Sequence, residues 1–243
     1  MSLTDLTSLN ETDDAPSTHA LARLARSSPV KPAAVCVWAR CIPAALEGLR
    51  DSGIPVCAVA NFPGGAAEPA TAAAECTAAV RSGAAEVDVV FPYRALLAGD
   101  VAAGLDLVKA CRTACGDALL KVILETGQLA TAQAIRDACD LAIEGGADFL
   151  KTSTGKTQPA ATAEAAAVMF EAIAAARAGG RPVGFKASGG IRTVSDARSY
   201  VDQYEQRFGA CSAVAGNFRI GASALFKDLM AVAGSSPDPR QEQ

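Results

Sequence analysis

Short runs of β-branched and aliphatic residues recur along this chain at intervals of roughly 20 to 35 residues, the length of a strand-plus-helix unit, and this spacing limits the fold more than any other feature. The runs are AVCVWA, PVCAVAN, EVDVVF, LLKVILE, DFLKTS, VGFKAS and FRIGAS. TDLTSLN, followed by the helical pattern STHALARLARS, supplies an eighth. Strands that are apolar on both faces must be covered on both faces, which suits a closed parallel barrel, although an open doubly wound sheet shows the same alternation. The expected fold is a single-domain α/β chain, a (β/α)8 TIM barrel over residues 1–243, with 235–243 (SPDPRQEQ after Ser235) a flexible polar tail.

The segments between the runs carry their own stop signals. A helix is expected from Pro69 to Ser82 before Gly83, another from Leu129 to Glu144 before Gly145-Gly146, and a third from Ala161 to Ala178 before Gly179-Gly180. Thr193 and Asp196 form a capping-box-like start, after which Val194, Ala197, Tyr200, Val201, Tyr204 and Phe208 keep one face apolar up to Gly209.

Composition then removes whole classes of function. The formal net charge is −4 and no run of Lys or Arg occurs, so there is no electrostatic reason to bind nucleic acid. The first thirty residues lack a secretory apolar stretch and no long charge-free apolar run appears anywhere, which reads as a soluble, cytoplasmic protein without a membrane partner. Eight scattered cysteines in apolar patterns read as reduced core thiols, Cys111 and Cys115 on one helix face included. His19 is the only histidine, which argues against histidine-bound zinc and Ser-His chemistry and leaves Lys, Asp or Glu as the base.

Three runs hold charges where apolar residues belong: Asp88 in EVDVVF, Lys151 in DFLKTS and Lys186 in VGFKAS. One such residue is more often an ion-pair partner than a catalyst, but three on different strands suggest a site. A lysine with the ordinary pKa of about 10.4 is protonated at neutral pH and cannot attack a carbonyl; bringing it to about 7 to 8 costs roughly 3 to 5 kcal/mol, which burial and a second ammonium can supply. Lys151 and Lys186 on neighbouring strands meet that need, with Asp88 moving protons directly or through water. Gly189-Gly190 and Gly221-Ala222-Ser223 follow the last two strands, where barrels commonly bind phosphate, and Gly155-Lys156 adds an amide and a cation. Cys36 and Cys57 read as core thiols, Trp38 and Phe62 as pocket lining or packing, and Arg40, Arg192 and Glu125 as solvated or substrate-facing strand ends.

In this order, EVDVVFPYRALLAGD, LLKVILETG, GADFLKTSTGKT, GFKASGGIRT and RIGAS closely resemble the deoxyribose-phosphate aldolases, class I Schiff-base enzymes, and the likeness runs from TDLTSLN through VCVWAR and NFPGG, fading only in the final tail. The resemblance implies that Lys151 is the Schiff-base lysine, Lys186 the lysine that perturbs it, Asp88 the proton-relay carboxylate, and Asp5 an aspartate at the end of the first strand within reach of Lys186. It places Thr154, Gly155, Lys156, Gly189, Gly190, Gly221 and Ser223 around substrate and phosphate. The implied reaction is reversible cleavage of 2-deoxy-D-ribose 5-phosphate to D-glyceraldehyde 3-phosphate and acetaldehyde, with no cofactor and no metal. Another Schiff-base phosphosugar aldolase, or a non-catalytic phosphosugar-binding barrel, are the alternatives.

The departures from the family pattern are peripheral. Ala224 stands where relatives often carry a second phosphate-site serine, Gly64 fills the variable place of the FPxG turn, and Ala39 replaces a common proline. Some relatives end in a tyrosine that assists proton transfer, whereas the tyrosines here are Tyr93, Tyr200 and Tyr204, implying slower turnover or a water in its place. The sequence leaves oligomeric state open, a homodimer being one candidate, and leaves open the tolerance for other aldehydes.

Overall fold

Val, Ile and Cys at successive positions make segments that must hide both faces, and a ring of strands inside a ring of helices hides them. The structure, a computed structural model, describes residues 3–234. Strands β1 (Thr4–Thr7), β2 (Ala34–Val37), β3 (Val56–Ala60), β4 (Glu86–Val90), β5 (Leu119–Ile123), β6 (Phe149–Lys151), β7 (Gly184–Ser188) and β8 (Phe218–Ala222) pair in parallel and in chain order, and β8 closes on β1. This is the (β/α)8 barrel expected from the spacing. The 235–243 tail lies outside the described residues.

Helices α1 (Ala15–Ser27), α2 (Ile42–Gly48), α3 (Pro69–Arg81), α4 (Tyr93–Leu97), α5 (Val101–Cys115), α6 (Thr126–Leu129), α7 (Ala132–Gly145), α8 (Ala163–Ala178), α9 (Val194–Phe208) and α10 (Ala224–Gly234) surround the strands. None among the described residues is long and apolar enough to cross a membrane. The capping box at Thr193 and Asp196 starts α9 as expected. Two starts differ from the expectation. Leu129 ends the one-turn α6, Ala130 takes a left-handed conformation, and Thr131 caps α7 through the Ala134 amide, so the helix expected from Leu129 begins at Ala132. Thr162 likewise caps α8, moving its start from Ala161 to Ala163. In both cases a threonine hydroxyl satisfying an orphan amide sets the start in place of the residues before it. At its other end, α3 stops at Arg81, with Ser82 as its cap.

The main core lies between strands and helices. Phe170 of α8 packs edge-on against Phe185 of β7 at 4.6 Å, and Tyr204 of α9 packs against Phe218 of β8 at 4.9 Å. Arg177 covers this aromatic group by stacking on Phe208 and donating to the Tyr204 hydroxyl at 2.6 Å. The result is a rigid backing for the two strands that carry Lys186 and Gly221.

Candidate active site

Barrels usually fill their interior with branched aliphatic side chains. Here the interior is divided: β1 and β4 to β8 contribute charge, while β2 and β3 contribute a small apolar wall of Ala34, Cys36, Cys57 and Val59, capped by Leu9, Trp38 and Phe62. Because inward positions alternate along a strand, Glu86 and Asp88 of β4 both enter, and so do Phe149 and Lys151 of β6. Register then decides which charges meet. Lys151 sits opposite Lys186 on the adjacent strand, and Asp88 sits opposite Lys121.

The buried charges form one network. Asp88 Oδ2 accepts from Lys151 Nζ at 2.8 Å and from Lys186 Nζ at 2.7 Å, so the two ammonium positions share a single oxygen atom. Its Oδ1 accepts from Lys121 at 2.9 Å, and Lys121 also lies 2.5 Å from Glu86 Oε2. Lys186 reaches Asp5 Oδ2 at 2.5 Å, and Arg219 bridges Asp5 at 2.7 Å and Glu86 at 3.2 Å. Arg219 is further fixed by its bond to the Ala215 carbonyl and by the Phe149 ring beneath it. Asp5 therefore does stand within reach of Lys186, from the middle of β1 rather than its end.

Among the described residues, four bases (Lys121, Lys151, Lys186, Arg219) face three carboxylates (Asp5, Glu86, Asp88), leaving a formal surplus of one positive charge in a buried region. A buried surplus charge is costly, and the network can shed it by releasing one proton. Among the described residues, Lys121 contacts three carboxylates, Lys186 and Arg219 two each, and Lys151 only Asp88. Lys151 is thus the base held by the fewest ion pairs. For Lys186, burial disfavours the charged form, but Asp5 and Asp88 outweigh it and hold its pKa above the ordinary lysine value. For Asp88, burial favours the neutral acid, yet Lys121, Lys151 and Lys186 together hold its carboxyl well below the usual range. Asp5 follows the same pattern: the upward push of burial is overcome by Lys186, Lys121 and Arg219, which bring it to about 2.

All eight cysteines are free, and seven of them, Cys36 and Cys57 included, are buried as the sequence suggests, whereas Cys211 is exposed and not a core thiol. Burial pushes the Cys57 thiol well up, and it donates to Asp88 Oδ1 at 3.1 Å. Cys36 Sγ, Cys57 Sγ and an Asp88 oxygen lie within 4.8 Å of one another, the spacing of a metal-binding group. The same space holds Lys121 Nζ, 3.4 Å from the sulfur and 2.9 Å from the carboxylate, and two more ammonium positions crowd Asp88, so a cation entering there meets positive charge. His19 is remote from this network, pairing with Glu47 between α1 and α2.

Above the network, at the C-terminal ends of the strands, lies a cavity of about 290 Å³. All seven residues expected around substrate and phosphate line it: Thr154, Gly155, Lys156, Gly189, Gly190, Gly221 and Ser223. Gly155, Gly189 and Gly190 have φ of 77°, 90° and 81°, which side chains resist. A Cβ at Gly189 would lie 2.7 Å from that of Ala160 and 3.2 Å from Gly155 Cα, so the close approach of the two loops requires glycine at 189, whereas a Cβ at Gly155 would make ordinary contact with Gly189 at 3.6 Å. None of these three amides donates to another group among the described residues, and α10 begins beside them at Ala224. Free amides, a helix start and Arg192 on the rim make a positive concavity suited to an anion. Lys156 is tethered across the cavity mouth by its bond to the Leu9 carbonyl at 2.7 Å. Gly221 joins the two levels: it lines the cavity, and a Cβ there would lie 3.3 Å from Lys186 Cε. Arg40 is elsewhere, stacked on Trp38 and bonded to the Asp13 and Glu11 carbonyls.

A family model described as DeoC/LacD family aldolase matches residues 1–228. The chain belongs to the DeoC/LacD aldolase family. Two solved structures provisionally named deoxyribose-phosphate aldolase are similar to this family member throughout. The one from Toxoplasma gondii ME49 is 26% identical with a TM-score of 0.90, covering 98% of this chain and 93% of its own; that from Coccidioides immitis is 32% identical with a TM-score of 0.81, covering 93% and 84%. The tetrameric deoxyribose phosphate aldolase of Aeropyrum pernix is 26% identical with a TM-score of 0.73, covering 96% and 90%.

Sequence reasoning missed part of this aldolase's network. Lys121, in LLKVILE, is fully buried between Glu86 and Asp88, and Arg219, in FRIGAS, is nearly so. Both carried the signal that exposed Lys151, a charge inside an apolar strand. Glu125, expected as a solvated or substrate-facing strand end, is instead buried, left-handed (φ 58°, ψ 55°), and bonded to Thr154. A left-handed residue other than glycine costs about 1–3 kcal/mol, which the surrounding contacts must offset.

Proposed function

We propose that this family member is a class I aldolase that reversibly cleaves 2-deoxy-D-ribose 5-phosphate to D-glyceraldehyde 3-phosphate and acetaldehyde through a Schiff base on Lys151. The observation that carries the proposal is the buried lysine with a single carboxylate partner, next to a second ammonium across one oxygen atom of Asp88. A neutral Lys151 amine attacks the aldehyde carbon of the open-chain sugar, and loss of water from the carbinolamine leaves a protonated imine. A base removes the proton of the C3 hydroxyl, the C2–C3 bond breaks, and its electron pair passes into the imine to give an enamine. Glyceraldehyde 3-phosphate leaves; protonation at C2 and hydrolysis then release acetaldehyde and free Lys151.

Asp88 suits proton movement because it contacts both lysines, directly or through a water on the substrate side. Lys186 and Asp5 keep the charge balance that frees Lys151. The glycine amides and Lys156 hold the phosphate end, as expected from their place around the cavity. The apolar wall of Cys36, Cys57 and Val59 suits the two-carbon fragment.

The test is borohydride reduction with acetaldehyde. One ethyl adduct should map to Lys151, and Lys151→Met should lose both the adduct and cleavage by at least about a thousandfold. A folded protein that gives no site-specific adduct would overturn the proposal. Cleavage of a different phosphosugar in preference to deoxyribose 5-phosphate would overturn the substrate assignment alone.

A further inference from the structure

The turn after β5 has no part in the chemistry above, yet it grips the loop that carries Gly155 and Lys156 at four points. The Thr126 amide donates to the Thr152 carbonyl at 2.9 Å. Glu125 accepts from the Thr154 hydroxyl at 2.6 Å and from the Thr154 amide at 3.3 Å. Gly127 lies so close to Pro159 that a Cβ would overlap the proline carbonyl oxygen, and Gln128 Nε2 donates to the Gln158 carbonyl at 3.2 Å.

Glu125 is the unusual member of this clamp. Its side chain is fully buried, it adopts a left-handed backbone, and among the described residues no cation lies within ion-pair distance. A buried carboxylate without a counter-ion is held only by hydrogen bonds, so its bonds to Thr154 are strong and directional. The Thr154 hydroxyl spends its single proton on Glu125, leaving its oxygen to accept from the Lys156 amide at 3.0 Å. Thr154 therefore cannot donate that proton to a substrate while Glu125 holds it. Its hydroxyl instead fixes the backbone that places the Gly155 amide and the Lys156 side chain at the cavity.

We infer that Glu125 is a positioning residue for the anion subsite, acting through Thr154 to set the loop that receives the substrate phosphate. The inference rests on the proposed function for its substrate. Because Glu125 acts on the loop and not on the lysine network, its loss should weaken phosphate recognition and spare imine formation.

The experiment compares 2-deoxyribose 5-phosphate with unphosphorylated 2-deoxyribose for the wild type, Glu125→Gly, Glu125→Gln, Thr154→Val and the Glu125→Gly/Thr154→Val double variant. Glycine tolerates the left-handed backbone, so Glu125→Gly removes the carboxylate while keeping the fold, checked by circular dichroism. KM for the phosphorylated sugar should rise at least about tenfold, consistent with loss of a charge-assisted bond, with kcat changing less. For Glu125→Gly, KM and kcat for deoxyribose, and the rate of borohydride trapping at Lys151, should stay within about twofold. Glu125→Gln, which keeps an acceptor for the Thr154 hydroxyl, should recover part of the loss, and the double variant should be no worse than the worse single. A variant that is folded but affects both sugars equally, or neither, overturns the inference while leaving the aldolase assignment intact. A Glu125→Gly chain that fails to fold, together with a Thr154→Val variant of unchanged phosphate preference, overturns it as well. A wild type that traps no acetaldehyde at Lys151 and has no preference for the phosphorylated sugar overturns both.

Discussion

Lys186 donates to Asp88 and Asp5 but has no place in the bond-breaking steps, so its value must be electrostatic. Replacing it with leucine leaves three bases facing three carboxylates, a set that is neutral with Lys151 protonated. The surplus positive charge beside Lys151 is gone, and Asp88 Oδ2 then serves Lys151 alone. Lys186→Leu should accordingly lose roughly a hundredfold in kcat/KM near pH 7 and recover part of it by about pH 9, each tenfold corresponding to about 1.4 kcal/mol. An unshifted pH profile would refute this role. The sequence shows Lys151, Lys186 and Asp88 because a charge inside an apolar strand is conspicuous. Lys121 is no less conspicuous in LLKVILE, but nothing in one dimension says that its strand stands next to Asp88; the β4–β5 register does. The surplus of one base over the carboxylates is likewise visible only when β1, β4, β5, β6, β7 and β8 are brought into one ring.

Elements differ in how much of themselves they announce. The eight strands are legible because each must be apolar on both faces, and α9 because its cap and apolar stripe agree. The start of α7 is not, since Leu129 continues an apolar pattern that the left-handed Ala130 interrupts, and the clamp around Glu125 depends on contacts across 29 residues of chain. The glycine loops fall between these cases: their identity suggests an anion site, but their mutual contact appears only in three dimensions. Gly189 and Gly190 both have positive φ, yet a Cβ at Gly189 collides with Ala160 whereas one at Gly190 meets nothing within 4 Å. Gly189→Ala should therefore raise KM for the phosphorylated sugar more than Gly190→Ala, by roughly tenfold against a few-fold, since only the former forces the two loops apart. Equal effects in steady-state kinetics would mean that backbone strain alone, and not the close approach, controls the subsite.

Filling a barrel with ion pairs ties the stability of the whole molecule to pH. Asp5 is buried against Lys186 and Arg219 with its pKa lowered from 3.8 to about 2, so the folded state binds its proton less tightly than the unfolded state does. The stabilisation is worth roughly 2 kcal/mol; it is fully present above about pH 4 and is lost as the pH falls through about 2. Asp88, held lower still, adds to the same acid-side loss. Lys186 works on the opposite side: with its pKa raised, its contribution is complete below the ordinary lysine value and declines only as the pH climbs above about 10.4. Between those limits the network should hold stability nearly level. Asp5→Asn leaves Lys186 and Arg219 short of a counter-charge and should cost about 3–5 kcal/mol at neutral pH. Urea midpoints measured at a series of pH values should then show the gap between the wild type and Asp5→Asn narrowing by roughly 2 kcal/mol between about pH 4 and pH 2, because acid removes from the wild type the same carboxylate that the substitution removes at every pH. A gap that stays constant over that range would mean that the Asp5 carboxylate is not what couples folding to acid, and that the loss in the variant comes from packing.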